Sequence, residues 1–198
     1  VPHREAGGKA VPAPGLAAAQ MLTGGVKGLL LFGGVEPWAE PHGGADALKS
    51  MAAAELVVAV TPYASEPLRQ VAHVLLPIGT FAETSGTFVN LEGRWQSFLG
   101  AAQPLGASRP GWKVLRVLGT ELAFPGFEYQ SSEEVRDELH RACGDVAPVA
   151  YRGTHRVELT ATAPGKVVDL PMYGIDAIVR RAGSLQRTAD GRAEPASY

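Results

Sequence analysis

The sequence predicts an α/β fold with a mostly parallel, Rossmann-like sheet, flanking helices, one β-hairpin excursion and an irregular C-terminal tail. Three short apolar runs alternate with helical patterns, and right-handed crossovers between such runs make a sheet parallel. A later segment changes to the alternating period of a hairpin. Hydrophobic residues make up 45% and charged residues 19% of the 198 residues, which is enough apolar material for a sizeable core.

The chain is predicted to have three parts. Residues 1–15 are rich in Gly, Pro and Ala without a hydrophobic period, so we expect a loop that leads into the domain. Residues 16–145 carry the α/β pattern, and residues 146–198 form a partly irregular C-terminal extension. Because the sequence starts at Val1 and not at Met, we expect a piece of a longer protein or a processed end.

The three strands are continuous apolar runs bounded by turn residues. They are predicted at Lys27–Phe32, Leu56–Val60 and His73–Pro77. Runs that are apolar on both faces are typical of buried parallel strands, because helices cover both sides of such a sheet.

Three helices precede or separate these strands, at Ala17–Leu22, Ala45–Ala54 and Glu66–Ala72. Leu48 and Met51 lie three residues apart on one face of the second helix. Ser65 is the predicted N-cap of the third helix, whose first turn tolerates Pro67.

The hairpin is predicted from Thr87–Asn90 and Arg94–Ser97 around the loop Leu91–Gly93, with glycine at the position that favours positive φ. This register places Val89 opposite Trp95, a cross-strand contact that contributes up to about 1 kcal/mol. It also pairs Thr87 with Ser97 on the same face, and Phe88 with Gln96 and Asn90 with Arg94 on the other.

Two longer helices follow, at Pro110–Ala123 and Ser131–Ala142. The first has an apolar stripe formed by Trp112, Leu115, Leu118 and Leu122. The second opens with a capping box from Ser131 to Glu134, has Val135 and Leu139 on one face, and stops at Gly144. A further strand at Arg156–Thr160 and a short helix at Asp176–Arg181 are also predicted.

Composition excludes several classes of function. A net charge of −2 gives no electrostatic case for binding nucleic acid or an anionic membrane, and no apolar run is long enough to span a bilayer. The one cysteine, Cys143, is interpreted as a core or boundary residue, and it excludes disulfides within the chain and cysteine-rich metal or iron–sulfur sites. The five histidines are scattered without ligand spacing.

Few residues suggest chemistry. Gly33 and Gly34 follow a buried strand, where glycines let a backbone approach a phosphate, but the motif is not GxGxxG and Glu36 would repel a phosphate. A plain tight turn is therefore favoured. Ser65 and Ser85 have no nearby histidine, and Glu83 and Glu92 are too far apart to pair as acid and base. Arg180, Arg181 and Arg187 form a basic cluster that we interpret as solvated surface, with a partner contact as the alternative.

Two longer motifs resemble known families. Val74–Pro77, Phe81–Glu83 and Gly86–Gln96 resemble the "VLP … E-x-x-GT(F/Y)xNxEGRxQ" segment of the molybdopterin oxidoreductase superfamily, and Leu29–Pro37 resembles its strand and turn. The ending Met172–Gln186 resembles that of the large iron–sulfur G subunit of bacterial NADH:quinone oxidoreductase, respiratory complex I.

This resemblance implies a sheet domain that, in molybdenum enzymes, holds one end of a pterin–guanine dinucleotide. In the complex I subunit the fold is kept and the cofactor is lost, and the iron–sulfur clusters lie in an upstream part. We therefore expect no catalytic, metal or cofactor-binding residue in this chain. Candidates for vestigial cofactor-facing loops are Gly33, Gly34, Glu36, Pro37, Thr61 and Ser65. Glu36 and Pro67 depart from the pattern of cofactor-binding relatives.

The resemblance further implies a structural and interaction module that docks other subunits of the peripheral arm of complex I, on the cytoplasmic side of the bacterial inner membrane and without insertion into it. The parent complex transfers electrons from NADH to quinone and translocates protons. Arg94 can stiffen the hairpin by bridging Glu92 or a neighbouring carbonyl, and the alternative is that the motif reflects hairpin geometry alone. Two alternatives stay open: a dinucleotide-binding domain of a formate-dehydrogenase-like molybdopterin enzyme, and a free-standing Rossmann-like small-molecule binder.

Overall fold

A three-stranded parallel sheet forms the centre of the computed structural model, which describes residues 15–39, 43–90, 92–144 and 173–192. Its strands are β1 (Gly28–Phe32), β2 (Leu56–Thr61) and β3 (Val74–Pro77), in the order β1-β2-β3. Both pairings are parallel. The predicted α/β class and parallel strand arrangement are therefore confirmed.

Six α-helices are described, α1 (Ala18–Leu22), α2 (Gly44–Ala52), α3 (Glu66–Val71), α4 (Gly111–Glu121), α5 (Ser132–Cys143) and α6 (Ala189–Arg192). One-turn 3₁₀ helices occupy Pro37–Ala39, Phe81–Glu83, Val179–Arg181 and Leu185–Arg187. Helix α2 ends two residues earlier than predicted, because the Ala54 N–H already bonds to the Met51 carbonyl as the chain turns into β2.

The core lies between one face of the sheet and helices α2 and α3. Met51 of α2 and Leu68 of α3 are buried against Leu31, Val57 and Ala59 of the strands. The i, i+3 spacing of Leu48 and Met51 thus identified the buried side of α2, since both side chains pack in this cluster.

The opposite face of the sheet is only partly covered, which corrects the expectation that helices cover both sides. Leu30, Leu56 and Val74 are 54%, 47% and 41% exposed. Helix α4 reaches the carboxyl half of this face, where an added Cβ on Gly111 would lie 3.0 Å from the Phe32 ring. An apolar run shows that both faces of a strand are hydrophobic. It does not show which elements pack against each face.

The hairpin forms from β4 (Gly86–Val89) and β5 (Trp95–Phe98) in the predicted register, with Val89 opposite Trp95. Among the described residues, no bridge from the Arg94 side chain is observed. The Asn90 side chain takes this role, because its Oδ1 accepts hydrogen bonds from the backbone N–H groups of Glu92 and Arg94 at 3.0 and 2.9 Å.

The hairpin turn depends on one glycine conformation. Gly93 has a φ of +76°, a region that costs a residue with a Cβ about 1–2 kcal/mol. We expect Gly93→Ala to lower the free energy of unfolding by about 1 kcal/mol, measured by urea denaturation. Gly15→Ala is the control, since an added Cβ there meets open space, and equal losses in both variants would contradict the prediction.

Helices α4 and α5 add one correction and one finding on exposure. Leu122 and Leu139 belong to the predicted apolar faces of these helices, and both side chains are exposed. At α5 the Ser131 hydroxyl accepts from the Glu134 N–H as expected, but the Glu134 carboxylate accepts from the Gln130 N–H and not from Ser131.

Two predicted elements of the C-terminal part have different outcomes. The helix predicted at Asp176–Arg181 begins only at Val179, because Asp176 Oδ1 caps the Ile178 and Val179 N–H groups at 2.9 Å. The strand predicted at Arg156–Thr160 lies outside the described residues.

Candidate functional site

The candidate site is built at the edge of the sheet where β1 and β2 end side by side. Gly33 and Gly34 follow β1 with φ values of +82° and +85°. The Gly33 N–H bonds to the Val60 carbonyl at 3.0 Å, and a Cβ on Gly34 would lie 3.2 Å from Pro62 Cδ. Both glycines therefore serve a close turn beside the second strand, as the plain-turn interpretation expected.

The remaining loop candidates also have structural roles. The Thr61 hydroxyl is buried, donates to the Tyr63 carbonyl at 2.9 Å and accepts from the Tyr63 N–H at 3.2 Å. Pro37 is buried and begins a 3₁₀ turn. Ser65 does precede α3, but its side chain makes no capping hydrogen bond, so that part of the N-cap prediction is wrong.

A buried ion-pair cluster joins this edge to the C-terminal segment (residues 173–192). The Glu36 side chain is only 3% exposed. Arg181 donates to its Oε1 at 2.9 Å and to its Oε2 at 3.2 Å, and Arg180 donates to Oε2 as well. One carboxylate thus neutralises part of the charge of two guanidinium groups that are 17% and 29% exposed.

This cluster corrects the interpretation of Arg180 and Arg181 as solvated surface. The Arg181 guanidinium also lies over the Tyr63 ring, 4.4 Å from its centroid. The signal available in the sequence was a carboxylate four residues after an apolar strand, since a carboxylate that is buried there needs a partner of opposite charge. Nothing in the local pattern indicated that the partner lies 144 residues further along the chain.

Neighbouring polar side chains keep Glu36 ionised. Burial raises the pKa of its carboxyl, but the hydrogen bond from Arg181, the neighbouring Ser65 hydroxyl and Arg180 lower it by more, so the pKa lies below the usual value for glutamate. The cluster therefore stabilises the fold when Glu36 is ionised.

We expect this stabilisation to depend on pH in a defined direction. A carboxyl with a lowered pKa in the folded state contributes stability that is present above its unfolded pKa, about 4.3, and is lost as pH falls toward the folded pKa. The difference in unfolding free energy between the chain and Glu36→Gln should be constant from pH 7 to about pH 5 and shrink below that. Urea titrations at several pH values measure it, and a constant difference down to pH 3 would contradict the prediction.

The C-terminal segment lies across the crevice at the strand ends. Ile175, Asp176 and Ala177 line, together with the turn residues Gly33 to Val35, a cleft of about 440 Å³. Arg180 also binds the C-terminal segment itself, because its guanidinium donates to the Gly174 and Ile175 carbonyls at 3.2 and 2.7 Å. The segment is thereby positioned by the same side chain that binds Glu36.

The residues at this turn do not fit the phosphate groups of a dinucleotide. Crevices at the carboxyl ends of parallel strands are where α/β folds bind such ligands. Here the buried Glu36 carboxylate is the anion of the site, and the two guanidinium groups that would bind a phosphate already bind Glu36. The arrangement therefore connects two parts of the chain.

A second cleft of about 470 Å³ opens on the other side of Gly33. Aromatic rings line much of it, from Phe32, Phe81, Phe88, Phe98 and Trp112. The Phe88 and Phe98 rings are stacked, with centroids 5.2 Å apart. This cleft is apolar and carries no charged side chain among its described lining residues.

The isolated acids and serines found in the sequence do not meet in an acid–base pair. Glu83 caps a 3₁₀ turn, accepting from the Thr80 N–H at 2.7 Å and from its hydroxyl at 2.9 Å. The Ser85 hydroxyl lies 2.7 Å from that of Ser132. Within the described ranges, no group of three His, Cys, Asp or Glu side chains is arranged to hold a metal ion, and no helix is long and apolar enough to cross a membrane.

The parallel sheet and its crevice define an α/β domain of the kind that binds ligands at its strand ends, and the chain's own C-terminal segment lines that crevice here. The molybdopterin oxidoreductase model matches residues 4–121. The chain belongs to the molybdopterin oxidoreductase family.

Curated relatives include proteins named putative formate dehydrogenase from Staphylococcus aureus strains bovine RF122 / ET3-1, MRSA252 and USA300. Each is 38% identical over 80 residues, which are 40% of this chain and 8% of the relative. The matched part is thus a small fraction of those proteins.

Proposed function

We propose that the chain is a cofactor-free structural and interaction module of the large iron–sulfur subunit of an NADH:quinone oxidoreductase. The observation that carries this proposal is the buried Glu36 carboxylate bound by Arg180 and Arg181. It occupies the turn where a working relative would present neutral backbone to a phosphate. The C-terminal segment that supplies both arginines has the ending that resembles the complex I subunit.

In this role the module contributes surfaces and rigidity, while redox centres lie elsewhere in the parent protein. Its partners are other subunits of the peripheral arm, on the cytoplasmic side of the bacterial inner membrane. The ion-pair cluster ties the C-terminal segment to the sheet, so that both present one fixed surface to those partners.

The test is a comparison of the parent protein purified from the cells that produce it. We expect NADH:quinone oxidoreductase subunits to co-purify with it and pterin and molybdenum or tungsten to be far below one per chain. An Arg180→Ala/Arg181→Ala variant should reduce assembly of the complex, whereas Lys49→Ala, on an exposed pair, should not. Stoichiometric metal and pterin, or full assembly of the double variant, would contradict the proposal.

A second candidate is the dinucleotide-binding domain of a formate-dehydrogenase-like enzyme. It is favoured by the 38% identity to proteins with that name and by the aromatic cleft beside Gly33, which offers flat rings to a heterocycle. Metal analysis of the same preparation separates the two candidates, because only this one expects molybdenum or tungsten at one per chain.

A further inference from the structure

Four neighbouring apolar residues of the sheet, Leu30, Leu56, Val58 and Val74, are not covered by any helix that the structure describes, and we call this surface the open sheet face. Leu30 is opposite Val58, and Val58 is opposite Val74, so the three side chains form one row across all three strands. Parallel sheets are normally covered on both faces, since their strands are apolar on both sides. Roughly half of the surface of Leu30 and Val74, the two outer residues of this row, is exposed to water. Exposed apolar surface of this kind is typical of an interaction site.

An apolar groove continues this surface at β3. It runs between Leu76, two residues beyond Val74 on the same face, and the side of α4 formed by Val114, Val117 and Leu118. The groove has a volume of about 450 Å³ and almost no polar lining. Its length along α4 and its apolar floor suit the side chains of a helix laid against the sheet.

The rim of the groove is basic. Among its described lining residues, Arg109, Lys113 and Arg116 are basic and Glu121 is acidic. Arg109 and Arg116 donate only to backbone carbonyls in the described part of the chain, and the Lys113 ammonium lies over the Trp112 ring, 5.4 Å from its centroid. Lys113 is exposed and no carboxylate among the described residues pairs with any of the three, although part of the Arg116 guanidinium is buried, so the excess of positive charge at the rim selects an acidic partner.

We propose that the open sheet face and its groove dock an amphipathic helix of a partner protein, with apolar side chains on one stripe and carboxylates on the flank that faces Lys113. A helix is the occupant because helices are what cover parallel strands in α/β folds. The carboxylates follow from the basic rim. The proposal stands on the apolar face and the rim charges alone, and it does not depend on the function proposed above.

The test is site-specific photo-crosslinking in the cells that produce the protein. The chain carries photoreactive benzoylphenylalanine at position 30 or 56, and at position 105 as the control. Leu105 is a matched control, because it is 83% exposed and lies outside the open sheet face. We expect crosslinks at positions 30 and 56 to a helical, Asp- or Glu-rich peptide of another protein, and none at position 105.

A charge reversal makes the test quantitative. Lys113→Glu replaces attraction by repulsion and should lower the crosslink yield at position 56 about fivefold, which corresponds to about 1 kcal/mol. Lys49→Glu on the other side of the sheet should leave the yield unchanged. Equal crosslinking at position 105, no crosslink at all, a product with a second copy of this chain, a partner peptide without carboxylates, or an unchanged yield in Lys113→Glu would each overturn the proposal.

Discussion

Replacing Glu36 by glutamine is expected to lower the free energy of unfolding by about 3 kcal/mol. Breaking a buried ion pair by removing one partner costs about 3–5 kcal/mol, because the remaining charge stays buried without compensation. Arg180 and Arg181 retain 17% and 29% of their side-chain exposure, so water screens part of the loss and the lower end of that range applies. A chain of this length should lose about 9 °C in Tm, measured by calorimetry.

The control for this prediction is another Glu→Gln change. Glu55 pairs with Lys27 at 3.0 Å, but both side chains are largely exposed. Exposed pairs contribute about 0–1 kcal/mol, so Glu55→Gln should change stability little. Equal losses in the two variants would mean that the Glu36 cluster is no stronger than a surface pair.

A third variant separates charge from packing. Glu36→Met combined with Arg180→Met and Arg181→Leu removes all three charges and keeps most of the apolar volume. Buried ion-pair clusters replaced in this way often lose little stability. We expect the triple variant to recover most of what Glu36→Gln loses. If it remains as unstable as Glu36→Gln, the loss comes from packing and not from uncompensated charge.

The parts of the fold that follow from local rules were predictable. The strands at residues 28–32, 56–61 and 74–77 were found because each is a short apolar run between turn residues. The pairing of Val89 with Trp95 followed from the length of the loop and the glycine at its end. In each case the physics that fixes the structure acts within about ten residues of sequence.

The central contact of the candidate site was not predictable in this way. Glu36 and Arg181 are 145 residues apart, and a pairing at that distance is chosen by the tertiary fold. The turn residues Gly33 and Gly34 were found, and they form the plain tight turn that was expected, but the burial of Glu36 beside them was not predicted. The sequence contained the charges and left open which of them would meet. The same holds for the open sheet face. Its apolar residues could be identified from the sequence, but their exposure could not.

The second large effect is expected in α3, the helix that follows the turn at Thr61 and Tyr63. Leu68 is 1% exposed and packs in the core with Val57 and Met51. Truncating a fully buried leucine to alanine removes transfer energy and leaves a cavity, at a cost of about 2–5 kcal/mol. We expect Leu68→Ala to lower the unfolding free energy by about 3 kcal/mol in urea denaturation.

Leu68→Ala should also weaken a contact in the candidate site, and this effect distinguishes it from a core substitution that only lowers stability. Helix α3 follows directly after the loop that presents the Tyr63 ring to Arg181, so loosening α3 should weaken that contact. In a double-mutant cycle, we expect Leu68→Ala and Arg181→Ala together to cost less than the sum of their separate effects, because the first variant already weakens what the second removes. Leu105→Ala, on an exposed leucine, should be additive with Arg181→Ala. Additivity in both cycles would mean that α3 and the ion-pair cluster are energetically independent.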